Sequence, residues 1–242
     1  GCYSLSAYSQ EELVARKVLV DERPDIVVDI VDATKLERHL YLAIQFFELG
    51  IPVMLTLNMM DEAAKKGLRI DTQKLATLLK CPVVETVAHS GEGKQQLLEK
   101  AVQYAAERGG SWQPLKISYG PDLDVALDAM VEKIEAARFM TNRYPARWVA
   151  LKYLENDDEI VSAGRSVGSV AFELEEMVRE VDTHCRTTLN TTPEALIADY
   201  RYGLINSILR QGIVERPQQE NRKELTEKLD NVLTSRLFGP LI

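Results

Sequence analysis

Cysteine is scarce in this chain of 242 residues: Cys2, Cys81 and Cys185 are odd in number, widely spaced and without a C-x-x-C pair. That excludes a disulfide framework and predicts reduced thiols in a cytosolic setting. Histidine is equally sparse. His39, His89 and His184 do not fall at ligand spacing with carboxylates, and the neighbours His184 and Cys185 read as filler rather than a metal site, so no metal ligands are assigned. No stretch of eighteen apolar residues and no signal-peptide pattern occurs, which predicts a soluble piece. Basic residues are outnumbered, 29 Lys and Arg against 37 Asp and Glu, for a net charge of -8. None of the basic residues is concentrated enough to track a nucleic acid. A glycine-rich G-x-G-x-x-G after a first strand is missing, which argues against a dinucleotide enzyme. The phosphate loop G-x-x-x-x-G-K-S/T is missing as well. The chain shows neither internal repeats nor low-complexity runs.

What is present is organised around residues 24–61. Two apolar runs, Ile26-Val27-Val28-Asp29-Ile30-Val31 and Pro52-Val53-Met54-Leu55-Thr56-Leu57, have the character of strands buried on both faces. Between them, Leu36 to Leu49 has helical period and stops at Gly50, a natural residue for the left-handed position after a helix. Strand, helix, strand predicts a parallel crossover. The second run ends in Asn58-Met59-Met60-Asp61, where the carboxyl end of a parallel strand meets ligands in open α/β sheets. An Asp there can accept two hydrogen bonds from the N1–H and 2-amino group of guanine, and an Asn amide can meet the base edge and tie loops together. The same two residues could instead cap the following helix, Glu62 to Lys66.

Other elements follow in order. Ser9-Gln10-Glu11-Glu12 has the spacing of a capping box and predicts a helix from Gln10 to Glu22, ended by Pro24. Asp71-Thr72 can cap a helix over residues 73–80. Pro82 to Val87 reads as a third parallel strand, then the loop Ala88-His89-Ser90-Gly91-Glu92-Gly93, then a helix from Lys94 to Arg108. Gly109-Gly110-Ser111 breaks the chain and sets an expected boundary: a first domain over 1–112 and a second over 113–242. The second shows no convincing strand. Apolar stripes at Leu123, Leu127, Met130, Val131, Ile134; at Trp148, Leu151, Leu154; at Val170, Leu174, Met177, Val178, Val181; at Leu196, Tyr200, Leu204, Ile208; and at Leu225, Leu229, Val232, Leu233 predict a five-helix bundle. Leu127, Met130, Leu174, Leu204 and Ile208 are its expected core.

These residues carry a family resemblance. Gly1-Cys2-Tyr3-Ser4-Leu5, Val31-Asp32-Ala33-Thr34 with Leu36-Glu37-Arg38, and Asn58-Met59-Met60-Asp61-Glu62 resemble the bacterial ferrous iron transport protein B (FeoB) family. Arg201-Tyr202 with Ile205, and the stretch from Lys228 to Pro240, resemble its helical domain and the approach to its first membrane span. The resemblance implies an α/β fold: a partial Ras-like P-loop GTPase domain with parallel strands, followed by an all-α helical bundle. It makes Gly1 the end of the Asp-x-x-Gly motif and Cys2, Tyr3 and Ser4 the start of switch II. It assigns guanine recognition to Asn58, Met59, Met60 and Asp61, with Val87, Ala88 and His89 as the last base loop. Met59 departs from the Lys common there, keeping an apolar stem without its charge. Val87 replaces the usual Ser, so a bond to the guanine oxygen must come from a backbone N–H, that of Ala88 or His89.

The resemblance further implies GTP and GDP as ligands, with Mg²⁺ ligands, catalytic residues and the phosphate cradle upstream of Gly1, and K⁺ as an additional cofactor of some relatives. The expected partners are a transmembrane part beyond Ile242, small cytosolic accessory proteins and further copies of the chain, with no nucleic acid. The expected place is the cytoplasmic face of the bacterial inner membrane. The helix over 10–22 is the expected carrier of the nucleotide signal to the bundle. A non-hydrolysing helical adaptor is the competing reading.

Overall fold

The computed structural model describes residues 4–6, 9–108 and 112–215. The first half alternates helix and strand. Helix α1 (Gln10–Glu22) starts at Ser9, whose Oγ accepts the N–H of Glu12. The return arm of the expected capping box is absent: the Glu12 carboxylate instead accepts bonds from Ser4 Oγ and Ser6 Oγ at 2.6 and 3.1 Å. Strand β1 (Val27–Asp32), helix α2 (Leu36–Leu49) and strand β2 (Val53–Asn58) form the predicted crossover. A short 3-10 turn at Ala33–Lys35, capped by Asp32, leads into α2. Gly50 closes α2 at φ 89°, donating its N–H to Phe46 O and Phe47 O. A Cβ there would sit 2.7 Å from Pro114 N, so only glycine lets the later chain pack on this turn.

After α3 (Met60–Lys65), β3 (Arg69–Ile70) and α4 (Thr72–Leu79), strand β4 (Val83–Glu85) joins the sheet, and α5 (Lys94–Arg108) follows. The sheet order is β1-β2-β4, all parallel, with Val27 opposite Val53 and Asp32 opposite Asn58. Strand β2 is buried over Val53 to Leu57, as its composition predicts. Strand β1 is not: Val28 and Ile30, on one face of this edge strand, are exposed. On its other face Asp29 holds a buried Oδ2 without a partner, and burial pushes its carboxyl up to about 7.

The second half packs α6 (Pro121–Ala136), α7 (Ala146–Leu154), α8 (Asp158–Arg165), α9 (Val170–His184) and α10 (Pro193–Leu209), with a π-helical turn at Cys185–Leu189. Helix α8 was not predicted. Its Asp157 cap and its buried Ile160 and Val161 are too short a pattern to register as a stripe. The stripe expected at Leu225 to Leu233 lies outside the described residues. A strand is present after all: β5 (Val214–Glu215) pairs antiparallel with β3, and two residues carry no periodicity to read. Leu127, Met130, Leu174 and Ile208 are buried. Leu204 is only half-buried, because α10 turns Ile197, Arg201, Ile205 and Ile208 inward and leaves Leu196 and Leu204 lining a cavity of about 810 Å³ with Leu115 and Tyr200.

Two buried arginines join the halves. Arg201 on α10 clamps Glu48 of α2 with Nε and Nη2 at 2.7 and 2.8 Å. It also bonds Glu155, and Tyr119 donates to the same Glu48. Arg16 on α1 donates to Asp157 at 2.9 and 2.5 Å, to the exposed Glu159 at 3.1 Å, and to the carbonyl oxygen of Leu5, with its guanidinium 5.4 Å from the Trp148 ring centroid. Burial alone would raise the Glu155 carboxyl, but the charges of Arg201 and Lys152 outweigh it and hold it at about 2.

Candidate functional site

The predicted recognition residues come from two neighbouring strands. Asn58 ends β2, and the backbone turns at once: Met59 adopts φ 64°, a left-handed conformation, before α3 begins at Met60. The loop after β4 lies beside it because Thr86 N–H continues the ladder to Leu57 O at 2.8 Å, and Met60 N–H reaches Thr86 O at 3.4 Å. Asn58, Met59, Met60, Asp61, Val87, Ala88 and His89 are therefore gathered at the carboxyl end of the sheet.

Asn58 Oδ1 accepts the Ala88 N–H at 3.0 Å and the Thr86 hydroxyl at 3.4 Å. The residue standing at the cap of α3 is Met59, without a side-chain cap bond. So Asn58 ties two loops rather than capping α3, and its amide nitrogen points its donors elsewhere. Thr86 belongs to this tie and was not anticipated; its only sequence signal is a hydroxyl residue closing an apolar run. Met59 is exposed beside the loop, whereas Met60 packs against the core.

Asp61 sits in the first turn of α3. Its carboxyl is held below the ordinary range by hydrogen bonding from His89, whose Nε2 lies 3.2 Å from Oδ2, with lesser help from Lys65. Val87 is buried and its N–H goes to Glu92 O at 3.1 Å, so neither its side chain nor its amide is presented outward. The Ala88 N–H is engaged by Asn58. Among the described hydrogen bonds, the His89 N–H is the one of the three that remains. The loop is held by Ser90 and Gly91, both bonded to Val87 O, and by Gly93 at φ 79°, where a Cβ would lie 2.1 Å from Glu85 O.

Of the switch residues, Gly1, Cys2 and Tyr3 lie outside the described residues. Ser4 is described, away from the base loops: it borders a cavity of about 340 Å³ with Gln45, Asn156, Asp157 and Tyr202, between α2 and the bundle. Leu5 donates its N–H to Gln45 Oε1 and gives its carbonyl to Arg16. Among the described residues no group of three or more His, Cys, Asp or Glu is placed to hold a metal ion, and no helix is long and apolar enough to cross a membrane.

Both halves match family models, one described as ferrous iron transport protein B over residues 1–101 and one as FeoB cytosolic helical domain over residues 119–214. An Fe(2+) transport protein A/Fe(2+) transporter FeoB fusion protein of Porphyromonas gingivalis is 37% identical across 99% of this chain, which spans 28% of that protein. The Fe(2+) transporter FeoB of Legionella pneumophila is 31% identical across 99% of the chain, which spans 30% of it. The chain thus spans about a third or less of these curated relatives. Among solved structures, a mutant S. thermophilus NFeoB bound to GDP superposes with a TM-score of 0.75 at 31% identity, over 89% of this chain and 78% of that one. The cytosolic domain of the T. maritima FeoB iron transporter in its GMPPNP form superposes with a TM-score of 0.69 at 27% identity, over the same shares.

Proposed function

Because this chain belongs to the FeoB family of ferrous iron transport proteins, we propose that it is the guanine-nucleotide switch region of a ferrous iron transporter, coupling GTP binding and hydrolysis to Fe(II) uptake. The supporting observation is the tie from Asn58 to Ala88 and Thr86, which sets the Asp61 carboxylate and the His89 N–H at one end of a parallel sheet. In this reading Asp61 accepts the N1–H and 2-amino group of guanine, which adenine does not offer. A carboxylate left unpaired against the wrong base is the source of discrimination. The His89 N–H faces the guanine oxygen, since that of Ala88 is engaged, and the Met59 stem lies along the base. The GDP and GMPPNP named for the related structures fit this assignment.

Phosphate binding, Mg²⁺, K⁺ and the hydrolytic groups are assigned to residues preceding Gly1. The chain's own part is recognition and transmission. Nucleotide state acts on the segment containing Gly1 to Ser4, Leu5 follows, and Arg16 carries the change to Asp157 at the head of α8. We place the domain boundary at 112/113, the membrane part beyond Ile242, and the region on the cytoplasmic face of the inner membrane, with accessory proteins and further copies as additional partners.

The test is Asp61→Asn in the cytosolic region carrying its phosphate-binding residues. Competition between GDP and XDP should shift toward XDP, because an amide donates to the O2 of xanthine where the carboxylate accepted from the 2-amino group. Retention of the GDP preference would overturn the assignment of Asp61.

A further inference from the structure

The loop that completes the base site also places a side chain on the atom the base needs. His89 Nε2 lies 3.2 Å from Asp61 Oδ2, although the imidazole is 75% exposed. Lys65 reaches the same oxygen at 3.5 Å, but its shorter bond, 2.7 Å, goes to Glu62. The charged groups at this contact are therefore Asp61 and, on the same carboxylate oxygen, Lys65, which is itself paired with Glu62. Guanine requires both carboxylate oxygens of Asp61 for its paired donors. One of them is already engaged from the opposite loop.

Resting on the guanine assignment of Asp61, we propose that His89 is a release-setting residue: its imidazole occupies the Asp61 carboxylate in the nucleotide-free state and is displaced when guanine binds. Displacement exchanges one hydrogen bond for two and weakens binding by the strength of the bond broken. A base that makes no bond to Asp61, such as adenine, is indifferent to it. A protonated imidazole holds a carboxylate more firmly than a neutral one, so the competition grows as pH falls.

The experiment measures affinity and release of fluorescent GDP and ADP analogues by the cytosolic region with its phosphate-binding residues, comparing wild type, His89→Ala, His89→Gln and Asp61→Asn from pH 5.5 to 8. His89→Ala should bind GDP roughly threefold to fivefold more tightly and release it more slowly, the range set by a solvent-exposed pair. The gain should be larger at pH 5.5 than at pH 8, and ADP binding should not change. His89→Gln, which keeps a donor without a titratable charge, should lie between the two with a flatter pH profile. If Asp61→Asn weakens GDP binding while His89→Ala matches wild type at every pH, the proposal falls and the base assignment stands. If His89→Ala weakens GDP binding, the imidazole supports the base and the proposal falls. If Asp61→Asn leaves GDP binding unchanged, the base assignment falls and the proposal with it.

Discussion

Arg201 and Arg16 are both buried guanidinium groups that join the sheet half to the helical half, yet they differ in what they hold. Arg201 is met by side chains alone: Glu48 in bidentate contact, Glu155, and the Tyr41 hydroxyl at 3.3 Å. Its partners sit on long helices or at their ends. Arg16 divides its donors among Asp157, the exposed Glu159 and the backbone oxygen of Leu5, which belongs to the segment leading into α1. The first seam can move only if two helices separate. The second changes whenever the backbone at Leu5 moves. A bolt and a relay are thus built from the same residue type, and the difference lies in whether one acceptor is the backbone of another segment. Asp61 and His89 form a third arrangement, an exposed single contact that a ligand can replace.

Breaking the bolt should have the largest effect. Arg201→Leu leaves Glu48 without its cation in a buried setting and Glu155 with Lys152 alone, and the expected loss is about 3–5 kcal/mol of unfolding free energy, read from denaturant midpoints. A loss below about 1 kcal/mol would mean that the two carboxylates are better hydrated than their burial indicates.

The relay should respond less. Arg16→Leu leaves Asp157 without its cation, but Asp157 keeps the Ile160 N–H at 3.2 Å and Glu159 is exposed to solvent, so roughly 2–4 kcal/mol is expected. Hydrogen exchange separates the two variants further. Arg16→Leu should expose amides around residues 4–6 and the start of α8 while sparing α10. Equal loss of protection along α10 in both variants would erase the distinction drawn between them.

The smallest effects are pH slopes, and they should have opposite signs in the two halves. The Glu155 carboxyl is depressed to about 2 from 4.5. Its contribution is present above pH 4.5 and is lost as pH falls from there through 2. The Asp29 carboxyl is raised to about 7 from 3.8. Its contribution is greatest below pH 3.8 and is lost as pH rises through 7. In denaturant titrations at stepped pH, Glu155→Gln should flatten the acid limb, and Asp29→Asn should flatten the slope between about pH 4 and 7.

Much of the sheet half was legible because each element carries local punctuation. Ser9, Gly50 and the break after Arg108 fix α1, α2 and α5 at the bounds their residues suggest. The gathering of Asn58, Asp61 and the 87–89 loop was legible because motif spacing was anchored to buried strands. Helix α10 was misread by one position. It is apolar on more than one side, and the sequence gives no reason to turn Arg201 inward and leave Tyr200 at the surface. That choice depends on Glu48 and Glu155, which lie 153 and 46 residues away. The same limit hid the Arg16 seam. Pairings across long separations leave no periodic trace, and strands as short as β3 and β5 leave none either.

The β3–β5 pairing has a mechanical consequence. The helical half enters beside Gly50 and Phe47, where Gln113 and Leu115 donate their amides, and it leaves where Asp71 N–H meets Ile213 O and Arg69 lies opposite Glu215. Both of its ends are stitched to the sheet half, as in a loop of rope tied off at one cleat. Tension applied to residue 216 and beyond therefore reaches β3 and the neighbouring α4 before it reaches any bundle helix. A displacement of the bundle, conversely, can stay slack with respect to that tether. A load applied there is borne by two short strands and not by the Arg16 guanidinium.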